Sequence, residues 1–445
     1  MHVVPYRLWI ILTFFTALLP IKTVSALGLM QAYDAALNND AIFRAAVHEN
    51  EAGQQLKVIG RASLLPVLSG TYSTNLVDGE RASLGQAAQH LTYRNESAVL
   101  QLRQPVVNFE SFARYKQGLA QTSAADAQFV TRNQDLIVRL AAAYMDARFA
   151  EDQLALTSSQ MNSYAEQRLT NERLFEKGEG TRTEMLETQA RFDLAEAQVI
   201  EARDNLTNAR NVLASIVGEE IRLVNPLLDD FRAKPMLPSS FEEWKEIALE
   251  QNPEIVSQRH AVEVARQEIN KQRAGHAPRV DLVASINKSK SDNIIFFGLD
   301  TFTRSVGVQV NVPIYAGGMV NAMTSQAVSN HERAKAELDS RTDQVLIELR
   351  RQFNLNLSSL RRIDALVSSV SSRNVLLEAT RKSAIGGTRN NIDILNAEQQ
   401  FFEAKLDLMQ ARYNYLLSYL RLRKAAGTVD TRDLQNVARY FVSRQ

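Results

Sequence analysis

The chain of 445 residues has no cysteine, which excludes disulfides, thiolate metal sites and an acylated N-terminal Cys. Neither sign of charge dominates: 51 basic residues face 50 acidic ones, so nothing electrostatic argues for nucleic acid. Beyond the N-terminus no stretch approaches the roughly 20 apolar residues of a spanning helix, so any membrane insertion must use β-strands. The six histidines (His2, His48, His90, His260, His276 and His331) show no paired ligand spacing, and no metal or cofactor is expected. The acids offer many chance neighbours in long helices but no singled-out pair, so no enzyme is expected. Proline is also scarce, and its distribution is the most informative feature of the chain. Both 106–225 and 314–445 lack it entirely.

The prolines and glycines that remain fall twice in the same order. Pro66 and Pro105 answer to Pro278 and Pro313, offset by about 210 residues. In the proline-free spans glycine is confined to the start (Gly118; Gly317, Gly318), an interior doublet (Gly178, Gly180; Gly386, Gly387) and the end (Gly218; Gly427). Each copy therefore reads as a broken segment followed by two long helices joined at the doublet. The expected organisation is a leader over 1–26, a first repeat over 27–217, a linker over 218–239, a second repeat over 240–427 and a C-terminal segment over 428–445. The leader follows from Arg7, the apolar run Leu8 to Ile21 interrupted by Thr13 and Thr16, and Val24-Ser25-Ala26, the small-residue spacing of a signal peptidase site.

After the first doublet Met185, Phe192, Val199, Leu206 and Leu213 recur in heptad spacing, and Thr188, Ala195, Ala202, Ala209 and Ile216 follow at d. The second copy repeats this with Ile394, Phe401, Leu408, Tyr415 and Leu422, and with Ala397, Ala404, Ala411, Ser418 and Ala425. Small d residues allow close backbone approach to the preceding helix, antiparallel across the short turn. A helix from Phe109 to Lys177 would be about 100 Å long, and its partner from Thr183 covers only about half of it. Helical segments at 29–63 and 240–275 would cover the rest, the latter started by a Ser240–Glu243 capping box and broken at Asn252-Pro253. The linker and the tail then meet at the waist.

Between each proline pair, over 66–105 and 278–313, the period changes to two. Val306, Val308, Val310 and Val312 alternate with Gly307, Gln309 and Asn311, and Val280, Leu282, Ala284 and Ile286 with Asp281, Ser285 and Asn287. The first copy shows Leu68, Tyr72 and Leu76, then Ala98, Leu100 and Leu102. Each run is about ten residues, enough for a tilted strand across a bilayer. Polar loops are expected over 77–95 and 288–303. Four strands cannot close a barrel and open edges are not tolerated in hydrocarbon, so the reading requires a homo-oligomer sharing one barrel.

The duplicated layout, the junctions Gln104-Pro105-Val106 and Val312-Pro313-Ile314-Tyr315-Ala316-Gly317-Gly318, and the tips Lys177 to Glu184 and Gly386 to Ala397 resemble the TolC family of outer-membrane channels. Arg273-Ala274-Gly275-His276-Ala277-Pro278 and Leu395-Asn396-Ala397-Glu398-Gln399-Gln400 are most similar to the outer-membrane component of type I protease exporters. The resemblance implies a mainly α chain with a β-barrel part, a homotrimer whose twelve-stranded barrel in the outer membrane continues as a helical barrel through the periplasm. It implies a periplasmic adaptor and an inner-membrane ABC transporter as partners, with a secreted protein as cargo. It also implies a closed tip. There Asp393 would line the constriction and Arg389 would bond across to Glu184, with Asn396 where the family often has a second acid. Gly178, Gly180, Thr181, Arg182, Gly386, Gly387 and Thr388 would form the adaptor-docking tips. Asp393 and Glu184 also fit a plainer role, first-turn carboxylates favoured by the helix dipole. A drug-efflux channel would share this architecture, whereas a periplasmic adaptor ordinarily carries a single hairpin.

Overall fold

The computed structural model describes residues 26–82, 85, 87–228, 230–292 and 299–441. Except for Ala26, the leader expected over 1–26 lies outside the described residues. The first half runs α1 (Leu29–Asn39), α2 (Ala41–Ala62), β1 (Val67–Arg81), β2 (Gln89–Val107), α3 (Phe109–Glu176) and α4 (Arg182–Val217). The second half runs α5 (Phe241–Gln251), α6 (Pro253–Arg273), β3 (Arg279–Ser291), β4 (Leu299–Asn311), α7 (Met319–Ile385) and α8 (Asn391–Ala425), followed by α9 (Thr431–Ala438). No helix among the described residues is long and apolar enough to cross a membrane.

The two long helices, α3 with 68 residues and α7 with 67, are uninterrupted because nothing in them lacks a backbone donor. Each ends at a glycine turn, after which α4 or α8 returns antiparallel along its second half. The heptads pack inward as their spacing predicts: Thr188, Ala195, Val199, Ala202, Leu206, Leu213 and Ile216 are buried in α4, and Ala397, Ala404, Leu408, Ala411, Tyr415, Ser418 and Leu422 in α8. The first half of α3 is flanked by α2 and α6. At the α2 crossing there is no room for a side chain: a Cβ on Gly118 would stand 2.5 Å from the Leu56 carbonyl oxygen, and one on Gly60 would stand 2.9 Å from that of Arg114. Gly118 is thus a contact residue inside a helix.

Two helix boundaries differ from the sequence reading. The segment at 29–63 is two helices, because Asp40 takes an extended conformation and its carboxylate accepts from the Phe43 amide (2.6 Å) and from Arg139 (2.8 Å). The side chain of Ser240 makes no capping bond. The start of α5 is anchored instead by Trp244, fully buried, whose indole donates to the Pro238 carbonyl at 2.7 Å. The break at Asn252-Pro253 is where expected, with the Asn252 side chain capping α6.

The main core lies at mid-length. Leu136, Ile137, Leu140 and Tyr144 of α3 pack there with α1, with the ends of α4 and α8, with Ile221, Val224 and Phe231 of the linker, and with Val429, Leu434, Val437 and Phe441 of the tail. Single bridges stitch the ring, Leu27 to Val224 and Leu227 to Phe441. A buried polar web reinforces it: Arg148 pairs with Glu151 and Asp152, and the Tyr413 hydroxyl donates to Asp152 at 2.5 Å. Burial, together with the adjacent Asp152 charge, pushes the Tyr413 phenol well above its ordinary range, so it stays a donor.

The four strands form one antiparallel sheet in the order β1-β2-β3-β4. Its strands outrun the expected ten residues, with 15 in β1, 19 in β2 and 13 each in β3 and β4. Of the polar loops expected over 77–95 and 288–303, the strands take up 77–81, 89–95, 288–291 and 299–303, while 83, 84, 86 and 293–298 lie outside the described residues. Cross-strand polar pairs carry the extra length, such as Thr92 to Asp78 (2.9 Å) and Arg94 to Thr74 (3.1 Å). β2 continues through Pro105, where the missing donor is absorbed by a register shift between Pro105 and Val107.

Candidate functional site

Register decides what the sheet presents. Leu68, Leu102, Ala284 and Val306 stand side by side across the four strands, as do Leu282 and Val308. One residue along, on the opposite face, stand Ser69, Gln101, Ser285 and Ser305, the last two bonded through their hydroxyls at 2.8 Å. The apolar face is bare: Val306 is 78% and Val308 66% exposed. β1 and β4 each keep an edge with no partner strand among the described residues. A sheet with one apolar face, one hydroxyl- and amide-lined face and two open edges suits lipid on one side and water on the other once copies close it.

At the far end of the molecule the two tips use the same chemistry twice. After α3, Gly178 takes φ +75° and the amides of Glu179 and Gly180 return to the Leu174 carbonyl (2.8 and 3.1 Å). After α7, Gly387 takes φ +73° and the Thr388 amide returns to the Ser383 carbonyl (3.0 Å). These are left-handed helix ends that favour glycine. Each is followed by a capping box: Thr181 with Glu184 at α4, and Asn390 with Asp393 at α8.

Both acids singled out in the sequence are thereby engaged locally. Glu184 Oε2 accepts from the Thr181 amide (3.0 Å) and hydroxyl (2.9 Å). Asp393 Oδ2 accepts from the Asn390 amide (3.3 Å) while its Oδ1 faces Arg389 Nη1 at 3.5 Å. Arg389, in the turn before α8, pairs with Asp393 in the first turn of that helix, and the capping box holds Glu184.

Other residues join the two hairpins. Thr188, fully buried, accepts from Asn171 of α3 (2.8 Å) and Asn391 of α8 (2.9 Å) and donates to the Glu184 carbonyl (2.8 Å). Arg191 of α4 reaches Asn396 at 2.9 Å and also bonds Gln399. Asn396, where the family often carries an acid, is here the amide that receives an arginine. Deeper still, the Glu398 carboxylate is 1% exposed and collects Gln167 (2.6 Å), Arg381 (3.2 Å) and the Ser163 hydroxyl. It ties α3, α7 and α8 together beside Tyr164, Ala195 and Leu395, the small core of the tip. Sequence reasoning missed Arg191, Asn391 and Glu398 as links. The available signals were a threonine in an apolar d stripe and a carboxylate directly after a buried alanine.

The model of the outer membrane efflux protein family matches residues 32–219 and again 244–428. The chain is 42% identical over 423 residues to the alkaline protease secretion protein AprF of Pseudomonas aeruginosa, covering 94% of this chain and 88% of that one. It is 39% identical over 427 residues to the proteases secretion protein PrtF of Dickeya chrysanthemi, covering 95% and 92%. The fold matches the crystal structure of the outer membrane protein VceC of Vibrio cholerae with a TM-score of 0.77 at 17% identity, over 90% of this chain and 96% of that one.

Proposed function

The chain belongs to the outer membrane efflux protein family, and we propose that it is the outer-membrane exit duct of a type I secretion system, conducting a secreted protein, a protease or similar exoprotein, to the outside. The observation that carries this reading is the 39–42% identity, over nearly the whole length of both chains, to two proteins named for protease secretion. The unfinished sheet supports a homotrimer: three copies of a four-stranded sheet make one closed barrel, and closure removes both bare edges. The apolar face would then meet outer-membrane lipid and the row from Ser69 to Ser305 would line water. The repeats over 27–217 and 240–427 each supply one hairpin to the periplasmic tube. The segments 218–239 and 428–445 girdle its waist.

The duct has no chemistry of its own in this reading, and direction and energy come from an inner-membrane ABC transporter coupled through a periplasmic adaptor. The adaptor would dock on Gly178, Gly180, Thr181, Arg182, Gly386, Gly387 and Thr388, which lie at the two helix-to-helix turns or, for Arg182, at the first residue of α4. Asp393, with Arg389, Glu184 and Asn396, would form the constriction. Deleting the gene should abolish export of the protease by an otherwise complete transporter and adaptor. Unimpaired protease export with increased drug sensitivity would replace this reading with that of a drug-efflux channel. Asp393→Ala and Arg389→Ala should each raise single-channel conductance in planar bilayers, and unchanged currents in both would remove these residues from the gate.

A further inference from the structure

On the apolar face of the sheet the cations are gathered at one end. The helices join the sheet at 66, 107, 279 and 311, so the opposite end, marked by Arg81, Gln89, Ser291 and Leu299, is the one away from the helical tube. Towards that end the apolar rows give way to Tyr72, Ala98, Lys288 and Phe302, side by side across the four strands. Arg304 sits on the same face opposite Ile286, and its guanidinium stacks over the Phe302 ring at 4.9 Å from the centroid. Lys288 makes no ion pair with any described residue.

Further out on this face stand Arg94, Glu96, Lys290 and Asp300, and there the charges answer one another: Arg94 lies 3.4 Å from Glu96, and Lys290 lies 3.8 Å from Asp292. At the helix-proximal end this face carries Leu68, Leu102, Leu282, Val308 and Val310 and no charge. The nearby cations Arg103 and Arg279 occupy the opposite face, held by Asp281 and by Glu110 (3.4 Å). Two uncompensated cations and an aromatic ring thus mark one edge of the apolar band and not the other.

We propose that Lys288 and Arg304, with Phe302, form a docking surface for the phosphate groups of a lipid headgroup in the outer leaflet. This rests on the barrel reading above. A guanidinium and an ammonium beside an aromatic ring at the hydrocarbon boundary suit a phosphate attached to acyl chains: the chains lie on Leu100 and Ile286 while the phosphate accepts from both cations. The partner is a phosphorylated glycolipid of the lipid A class, and the contact recurs once per copy around the closed barrel.

The test uses the full-length protein extracted from outer membranes in a neutral detergent. Native mass spectrometry would follow titration with lipid A bearing both phosphates and with the same lipid dephosphorylated. The wild type should prefer the phosphorylated lipid, and Lys288→Gln/Arg304→Gln should bind it roughly twentyfold more weakly. Lys290→Gln, whose partner is already present in the chain, should change binding less than the double variant does. A trimer that binds both lipids equally, or a double variant that binds like wild type, would overturn the docking surface and leave the duct standing. A monomer without lipid would overturn both.

Discussion

At the waist Leu140, Tyr144 and Leu416 are shut away by residues of the same chain, whereas in the sheet Leu68, Val306 and Val308 stand bare on strands of equal regularity. Both regions are rich in apolar side chains and regular in backbone hydrogen bonding. They differ in who supplies the cover. The waist draws on α1, α3, α4, α8, the linker and the tail, so its core closes within one chain. Among the described residues the outer edges of β1 and β4 have no partner strand, and Leu68, Val306 and Val308 on the apolar face are exposed. Regular secondary structure therefore does not show whether a region is finished, and the unfinished one is where membrane and sister chains must act.

The largest effect should come from the self-sufficient region. Leu140→Ala should cost about 2 to 5 kcal/mol, with thermal loss of helical signal at lower temperature in detergent as the measurement. A negligible shift would mean the waist borrows its stability from neighbouring copies. Val308→Lys should cost roughly 2 to 4 kcal/mol of barrel insertion while leaving the helical signal of the chain intact, so that unassembled protein accumulates. Normal trimers from that variant would place the residue on the watery face and reverse the assignment of the two faces.

Smaller changes refine the boundary between what one chain finishes and what it leaves open. Gly118→Val or Ala404→Leu should each cost about 1 to 3 kcal/mol by forcing helices apart, read as reduced yield of folded protein. Glu398→Ala should cost about 2 kcal/mol, since it leaves Ser163, Gln167 and Arg381 without their common acceptor. If the tip hairpins then become more protease-sensitive while the waist melts unchanged, the tip is an independent unit.

The smallest effect concerns acid. Glu263 and Glu348 titrate below the usual carboxylate range because Arg266 and Arg351 donate to them. Their contribution is fully present above the unfolded value of about 4.3 and is lost as pH falls through the lower folded values. Glu348→Gln should slightly flatten the loss of stability on acidification, and an unchanged acid-melting curve would show the pair contributes nothing.

Much of this was legible from residue order because the deciding forces are local. Proline and glycine mark where helices stop whatever surrounds them, so the long helices and their turns were readable, as was the break at Asn252-Pro253. The heptads of α4 and α8 and the alternation from Val280 to Ile286 announced their buried or apolar faces through spacing alone. The lengths of β1 and β2 were not legible, because Asp78 to Arg81 and Gln89 to Thr92 are mostly polar and take strand geometry opposite one another. The split at Asp40 was missed for a similar reason, since its second partner, Arg139, is remote in sequence.

Residue order alone specifies a duplicated, cysteine-free chain of long helical hairpins and amphipathic strands, because breakers and periodicity act over a few residues. The links at the tips came from packing instead. Thr188, Arg191 and Glu398 meet partners from 17 to 235 residues away, and a polar side chain shows its bond only when packing has brought the acceptor within about 3 Å. The fold likewise decided that Glu184 and Asp393 close capping boxes. A first-turn carboxylate has a favourable position in any helix, but its hydrogen bonds depend on the backbone geometry of the turn before it.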